Sequence, residues 1–244
     1  MNDLGQSLAS SRHACHIGRI ACNNIWYADD LCLLAPSIAA LQKLINFCYD
    51  YAEAHNIAFN ASKTVCMRFC VGKDYSEPVF TVNSVKIGWV DAFDYLGFKI
   101  SNASKNCDAA EIERRLRDMR VRANMLDARF SKASEYVHLQ LFRTFFNQVY
   151  CLGLWVVGTK KYEQKAKVTL NNCFRRVFNK WGIFSVSHEF VIRGLQTWGE
   201  IRRSASYSLY TRIIQSDNEI VSAICNCATF TINPILCEMI RILM

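Results

Sequence analysis

Ile25-Trp26-Tyr27-Ala28-Asp29-Asp30-Leu31-Cys32-Leu33-Leu34-Ala35 sets two adjacent carboxylates between two short apolar runs. Like charges this close repel, and partial burial raises the cost of keeping both ionised. A hard divalent cation relieves that cost, because Mg²⁺ is typically held by one or two carboxylates together with substrate phosphates. Polymerases use such carboxylates to hold two metal ions about 3.5–4 Å apart, which activate the attacking oxygen and stabilise the leaving one. The same residues also suit an ordinary hairpin turn, since Asp tolerates left-handed backbone and favours turns. The flanks read as two short strands, 24–28 and 31–35, which put both acids near the exposed tip.

Working outward, Pro36-Ser37 stops the second strand, and Ser37 is the expected N-cap of a helix. Ile38, Leu41, Leu44, Ile45, Cys48, Tyr49 and Ala52 recur at helical spacing, and His55-Asn56 ends the run. This amphipathic helix should pack on the back of the hairpin. On the N-terminal side, 12–24 alternates weakly around Gly18 and reads as one strand, and 1–8 as a short helical turn. Downstream come a polar turn at Ala61-Ser62-Lys63-Thr64, a strand over 65–69 and a loop over 72–78. A hairpin from 79–82 and 85–87 turning at Asn83-Ser84 follows, then a strand pair over 93–100 with Gly97 inside.

After Asp108 the pattern changes to long helices. Residues 109–130 carry Arg114, Arg115, Arg117, Arg120, Arg122 and Arg129, with Ile112, Leu116, Met119, Ala123 and Leu126 as the apolar face. Residues 136–157 read as a buried aromatic helix. Over 162–180, Lys165, Lys167, Arg175 and Arg176 alternate with Leu170, Cys173, Phe174 and Val177. Helices are expected over 188–197 and 201–214, and 219–244 gives the weakest signal.

Bulk numbers sharpen the division. The chain has 244 residues, 51% of them hydrophobic, and a net charge of +8. Residues 1–107 hold nine Lys/Arg and nine Asp/Glu, whereas 108–244 hold twenty and twelve, so the second part carries the whole excess. A neutral part with paired carboxylates followed by a basic helical part suits an enzyme that grips a polyanion. Twelve cysteines fall largely on apolar faces, with no C-x-x-C pair and no signal peptide, which reads as a reducing, intracellular setting. Neither His13-Cys15-His16 nor Cys66-Cys70 completes a four-ligand zinc set. The longest apolar stretch, 149–157, is too short to span a bilayer. The tryptophans are read as core rather than stacking platforms.

The string from Asn24 to Ser37 resembles the catalytic hairpin of reverse transcriptases from non-LTR (LINE-type) retrotransposons. Leu41-Gln42-Lys43-Leu44, Phe59-Asn60-Ala61-Ser62-Lys63-Thr64 and Phe93-Asp94-Tyr95-Leu96-Gly97 resemble the next elements of that family, in its order. The resemblance is strong over about residues 1–100 and thin beyond, as at Leu154-Trp155 and Phe174-Arg175-Arg176. It implies an RNA-directed DNA polymerase acting on an RNA template, a DNA primer and deoxynucleotide triphosphates with a two-ion Mg²⁺ site. Asp29 would be the main metal ligand and Asp30 the auxiliary one. Tyr27 would lie near the primer end, and Lys63 near the incoming triphosphate. Tyr95-Leu96-Gly97 would support the primer strand, with Gly97 permitting close backbone approach. From the charge of the basic helices rather than from the resemblance, phosphate contacts are expected at Arg114, Arg115, Arg117, Arg120, Arg122, Lys165, Lys167, Arg175 and Arg176.

The expected fold is α+β. A truncated polymerase palm, an antiparallel sheet with a packed helix, occupies residues 1–107, and a basic all-α thumb with a helical extension occupies 108–244. In the family a further metal-binding Asp and the fingers lie upstream. Here 26 residues precede Tyr27 and Asp3 is the one acid among them. The isolated chain is therefore expected to lack polymerase activity. The competing reading is a non-catalytic nucleic-acid-binding module that uses the basic helices, and a third is a decayed reading frame. The setting would be nucleus or cytoplasm, without a membrane.

Overall fold

A computed structural model describes residues 2–11, 13–69, 78–82, 85–102, 109–155, 160–182 and 185–226. Several expectations fall outside them: Arg12, Cys70, most of the 72–78 loop, the Asn83-Ser84 turn, the end of the 136–157 helix, and 227–244. The described chain is α+β, with small two-stranded sheets early and mostly helices later. Contacts divide it into two units. The first comprises the described residues of Met1–Phe93 and Ser216–Phe230, and the second those of Asp94–Gln215.

The first unit opens with helix α1 (Asn2–Ala9), followed by strands β1 (Cys15–Ile17) and β2 (Ile20–Cys22). The single strand expected over 12–24 is instead a hairpin. Gly18 at φ +61° makes the turn that the weak alternation concealed. The acidic hairpin is β3 (Asn24–Tyr27) against β4 (Asp30–Leu33), antiparallel. Ser37 caps α2 (Ile38–Ala54), its hydroxyl accepting from the Ala40 N–H at 3.2 Å. Asn56 at φ +53° closes α2, and the Ile57 N–H returns to the Ala52 carbonyl at 2.9 Å. Of the face expected on α2, Leu44, Ile45, Cys48 and Ala52 are buried, while Ile38 and Tyr49 remain exposed.

Strand β5 (Val65–Cys66) follows, then β6 (Thr81–Val82), β7 (Val85–Lys86) and β8 (Gly88–Trp89). β6 pairs with β7, and β5 pairs in parallel with β8. The continuous antiparallel sheet of the sequence reading is therefore not what the described residues form. They make separate two-stranded ladders whose apolar sides meet helices. One core joins Leu4, Leu8, Leu44 and Cys48 with Trp26, Leu31 and Leu33 packed against it. The other joins Ile45, Cys66, Phe80, Val82 and Ile87. Burial pushes the Cys48 thiol up to about 12 and the Cys66 thiol to about 11, so both act as small apolar groups.

The second unit begins within strand β9 (Ala92–Tyr95), which pairs with β10 (Phe98–Ser101). Helices α3 (Ala109–Phe130), α4 (Glu135–Phe146), α5 (Lys160–Val177), α6 (Val186–Ile192) and α7 (Trp198–Ile214) follow. The face expected on α3, Ile112, Leu116, Met119, Ala123 and Leu126, is buried throughout. The long aromatic helix is cut short. α4 ends at Phe146, and a 3-10 turn at Leu152–Leu154 follows Cys151 at φ +56°. Gly153 lets that turn approach α7, since a Cβ there would stand 3.0 Å from the Ala205 carbonyl oxygen. Thr197 and Glu200 form a capping box at the start of α7. Phe142, Phe146, Phe174, Phe178 and Phe190 fill the centre of this unit. Helix α8 (Glu219–Asn226) returns to the first unit and packs on β1 and β2. Among the described residues no helix is long and apolar enough to cross a membrane.

Candidate metal-binding hairpin and basic helices

Register fixes the tip. Tyr27 stands opposite Asp30, so Ala28 and Asp29 are the two turn residues of a tight hairpin. Trp26 and Leu31 point to the core face. Alternation then sends Tyr27, Asp30, Ile25 and Cys32 to the other face. Tyr27, Asp29 and Asp30 are all exposed. The burial argument for the acid pair therefore does not apply, and water already lowers the cost of two adjacent charges. Their oxygens are hard donors free of bulk, the chemistry that a divalent cation takes. Among the described residues no three metal-ligating side chains come together, so the hairpin supplies two carboxylates and no more.

Ala28 adopts φ +53° at this tip. A residue with a Cβ pays about 1–2 kcal/mol in left-handed backbone. Strain of this kind persists only where surroundings over-determine it. The hairpin base does so. The Trp26 indole N–H donates to Asn24 Oδ1 at 2.9 Å, and Asn24 Nδ2 donates to Asn23 Oδ1 at 2.7 Å. Asn23, 1% exposed, donates in turn to the Leu8 carbonyl and fastens the hairpin to α1. Gly5 faces the Trp26 indole closely, a Cβ there standing 3.4 Å from Nε1. Ala28→Gly is expected to stabilise the chain by about 0.5–1 kcal/mol, strain relief exceeding the added chain entropy. Urea unfolding measures it, and a loss of stability would contradict the strain.

Lys63 sits exposed in a loop built by Asn60. Asn60 Oδ1 accepts from the Lys63 N–H at 3.2 Å and from Ser62 Oγ at 2.7 Å, and its carbonyl accepts from Thr64 Oγ1 at 2.9 Å. Asn60 is thus the organiser of this loop, a role that Asn at a turn start commonly takes.

The Tyr95-Leu96-Gly97 segment forms a tight turn with Leu96 at φ +49° and Gly97 at φ +74°. Both central residues have positive φ, the type I′ signature. Gly97 serves this conformation, and within the chain a Cβ there would meet its nearest neighbour, Tyr150, at an ordinary 3.7 Å. Leu96 is held against its preference. Tyr150 Oη donates to its carbonyl at 2.6 Å, and the Arg114 and Arg115 guanidiniums both donate to the Gly97 carbonyl, Arg114 at 2.7 Å. Arg115 also lies over the Tyr150 ring at 4.9 Å. Glu111, fully buried, accepts from Arg114 Nε at 2.8 Å, Arg115 Nε at 2.6 Å and the Lys99 N–H at 3.2 Å. Glu111 and Tyr150 are thus site-organising residues that charge and periodicity did not reveal.

The nine cations expected to touch phosphate do not form one open stripe. Arg114 and Arg115 hold the turn. Arg122 donates to the Phe145 carbonyl at 3.5 Å, and Arg120 to the Leu116 carbonyl of its own helix at 3.1 Å. Lys165 pairs with Glu113, Arg176 with Asp127 at 3.3 Å, and Arg175 donates to Asn172 at 2.9 Å. Arg117 and Lys167 are exposed and make no ion pair among the described residues. Trp155 and Trp198 are core as expected, but Trp181 is 56% exposed. Comparison with protein-family models, with curated proteins and with solved structures finds no match to this chain.

Proposed function

We propose that this chain is the catalytic-hairpin and thumb portion of an RNA-directed DNA polymerase, with residues 1–107 as a partial palm. One observation carries the reading. The acid pair stands at the solvent-exposed tip of a tight hairpin, Asp30 opposite an exposed Tyr27 and Asp29 next to the left-handed Ala28. In this reading Asp29 and Asp30 hold Mg²⁺, whose charge when bound would stabilise the developing oxyanions of phosphoryl transfer. Tyr27 offers a ring to the primer terminus, Lys63 a cation to the triphosphate, and the Leu96-Gly97 turn a rigid edge to the primer strand. Chemistry also needs a third carboxylate and a nucleotide pocket, because positioning supplies much of the catalysis. The nucleus or cytoplasm is part of the proposal. The binding-module alternative draws less support, because most cations it relies on already hold protein groups.

The test is Mn²⁺-induced relaxation of amide signals, with the ion on the order of 1 mM. Signals over 27–31 are expected to broaden first, and Asp29→Asn with Asp30→Asn to abolish this while leaving the fold intact. Broadening elsewhere, or broadening that survives both substitutions, removes the metal role. Primer extension by this chain alone is expected to be absent, and Asp29-dependent synthesis would show that the hairpin suffices.

A further inference from the structure

α3 and α5 run parallel. Glu113 meets Lys165 near their starts, Cys173 Sγ reaches the Met119 carbonyl at 3.6 Å, and Arg176 meets Asp127 near their ends. His138 of α4 joins the same end, its Nε2 2.8 Å from the Phe130 carbonyl and its ring edge-on to Phe178 at 5.9 Å. Basic residues collect there. The acids at this end are each engaged: Asp127 by Arg176, Glu135 by Arg193, and Glu189 by Lys180 and Arg193. Arg129, Lys132 and Arg175 have no acid partner among the described residues. Cations near helix C-termini interact well with the dipole, which accounts for some of this charge but not for an aromatic ring set among it.

That ring is Trp181. It is the one exposed tryptophan among the described residues, the other four being half-buried or buried. The Arg176 guanidinium lies 5.4 Å from its centroid and is itself held by Asp127. One face of the indole is thus covered by an ordered cation, while more than half of the side chain remains open to water. An indole held this way is a stacking platform for a nucleobase.

We infer that Trp181 with Arg176 forms a single-strand nucleic-acid site, taking one unpaired base on the open face of the indole. The site is distinct from the acidic hairpin and rests on the proposed function only for the class of its ligand. A stacked base takes an unpaired strand, because a base inside a duplex has both faces occupied.

The experiment uses the full chain and fluorescein-labelled dodecamers of single-stranded RNA, single-stranded DNA and duplex DNA, read by anisotropy and by tryptophan emission. A single strand is expected to bind more tightly than duplex, to quench the solvent-exposed emission, and to weaken as salt rises. Comparing the RNA and DNA arms shows which strand the site prefers. Trp181→Ala is expected to weaken single-strand binding roughly 5- to 150-fold, in line with alanine substitution of stacking aromatics. Arg176→Ala should weaken it in the same direction, and circular dichroism verifies that both variants are folded. Unchanged affinity in Trp181→Ala, or equal binding of duplex without quenching, overturns the site while leaving the polymerase reading intact. No binding of any oligonucleotide overturns both.

Discussion

Replacing Arg114 and Arg115 together by alanine is expected to destabilise the second unit by about 3–5 kcal/mol, the cost of leaving a buried charge without its partners. Glu111 has no exposed surface, and both of its oxygens are occupied by the two guanidiniums. After the substitution its one remaining donor among the described residues is the Lys99 N–H at 3.2 Å. The carboxylate would then be buried and nearly unpaired. The loss should exceed that in Glu111→Gln, because each arginine keeps another acceptor: the Gly97 carbonyl for both, Asp94 for Arg114 and Asp118 for Arg115. Adding Glu111→Gln to the double substitution should recover much of the loss by removing the charge. Urea unfolding gives all three values. A double variant within about 1 kcal/mol of the parent would show that Glu111 reaches water or protonates readily.

The same substitution reaches the Leu96-Gly97 turn, which loses both guanidinium donors and keeps Tyr150 alone. A leucine in left-handed backbone needs such support. In the proposed polymerase this turn is the edge that meets the primer, so the buried Glu111 pair is a positioning element for it. Charge counting offers Arg114 and Arg115 to phosphate but does not show the protein groups they hold. Glu111 does stand three and four residues before them, a spacing that favours ion pairs on one helix, but sequence spacing does not say that the pair is buried. The link from Arg115 back to Gly97 spans eighteen residues and has no local signature.

Where a property is local, the sequence showed it. The five-residue apolar face of α3 follows from helical spacing, the Ser37 cap from its chemistry, and the acidic hairpin from two apolar runs around a turn. Where the outcome depends on tertiary contact, it did not. The aromatic run after Tyr136 has helical composition throughout. Yet it breaks after Phe146, and the 3-10 turn beyond packs its Gly153 against α7. Leu4 and Leu8 lie in too short a segment for periodicity to speak, and they are buried because α2 and β3 cover them. At the site, the exposed position of the acid pair at the hairpin tip was legible, but the left-handed backbone of Ala28 beside it was not.

Phe142→Ala is expected to cost about 3–5 kcal/mol, the range for a fully buried phenylalanine. The ring has no exposed surface. It stacks on Phe146 at 4.7 Å and meets Phe174, Phe178 and Phe190 at 5.7, 5.9 and 6.0 Å. It therefore ties α4 to α5 and α6 through several aromatic pairs, each worth about 0.5–1.5 kcal/mol beyond area burial. Removing it opens a cavity that stacked rings of fixed shape refill poorly. Against a typical stability of about 5–15 kcal/mol, the loss is large enough to populate unfolded chains. Phe142→Leu, which keeps most of the volume, should cost under about 1.5 kcal/mol. Trp155 and Trp198 are buried in the same core, and their indole N–H signals report on this unit by NMR during urea unfolding. If Phe142→Ala and Phe142→Leu cost the same small amount, the aromatic cluster is not what holds these helices together. The first unit keeps its own cores around Leu44 and Ile45, so in Phe142→Ala the urea midpoint read from the hairpin tip should shift less than that read from Trp155 and Trp198.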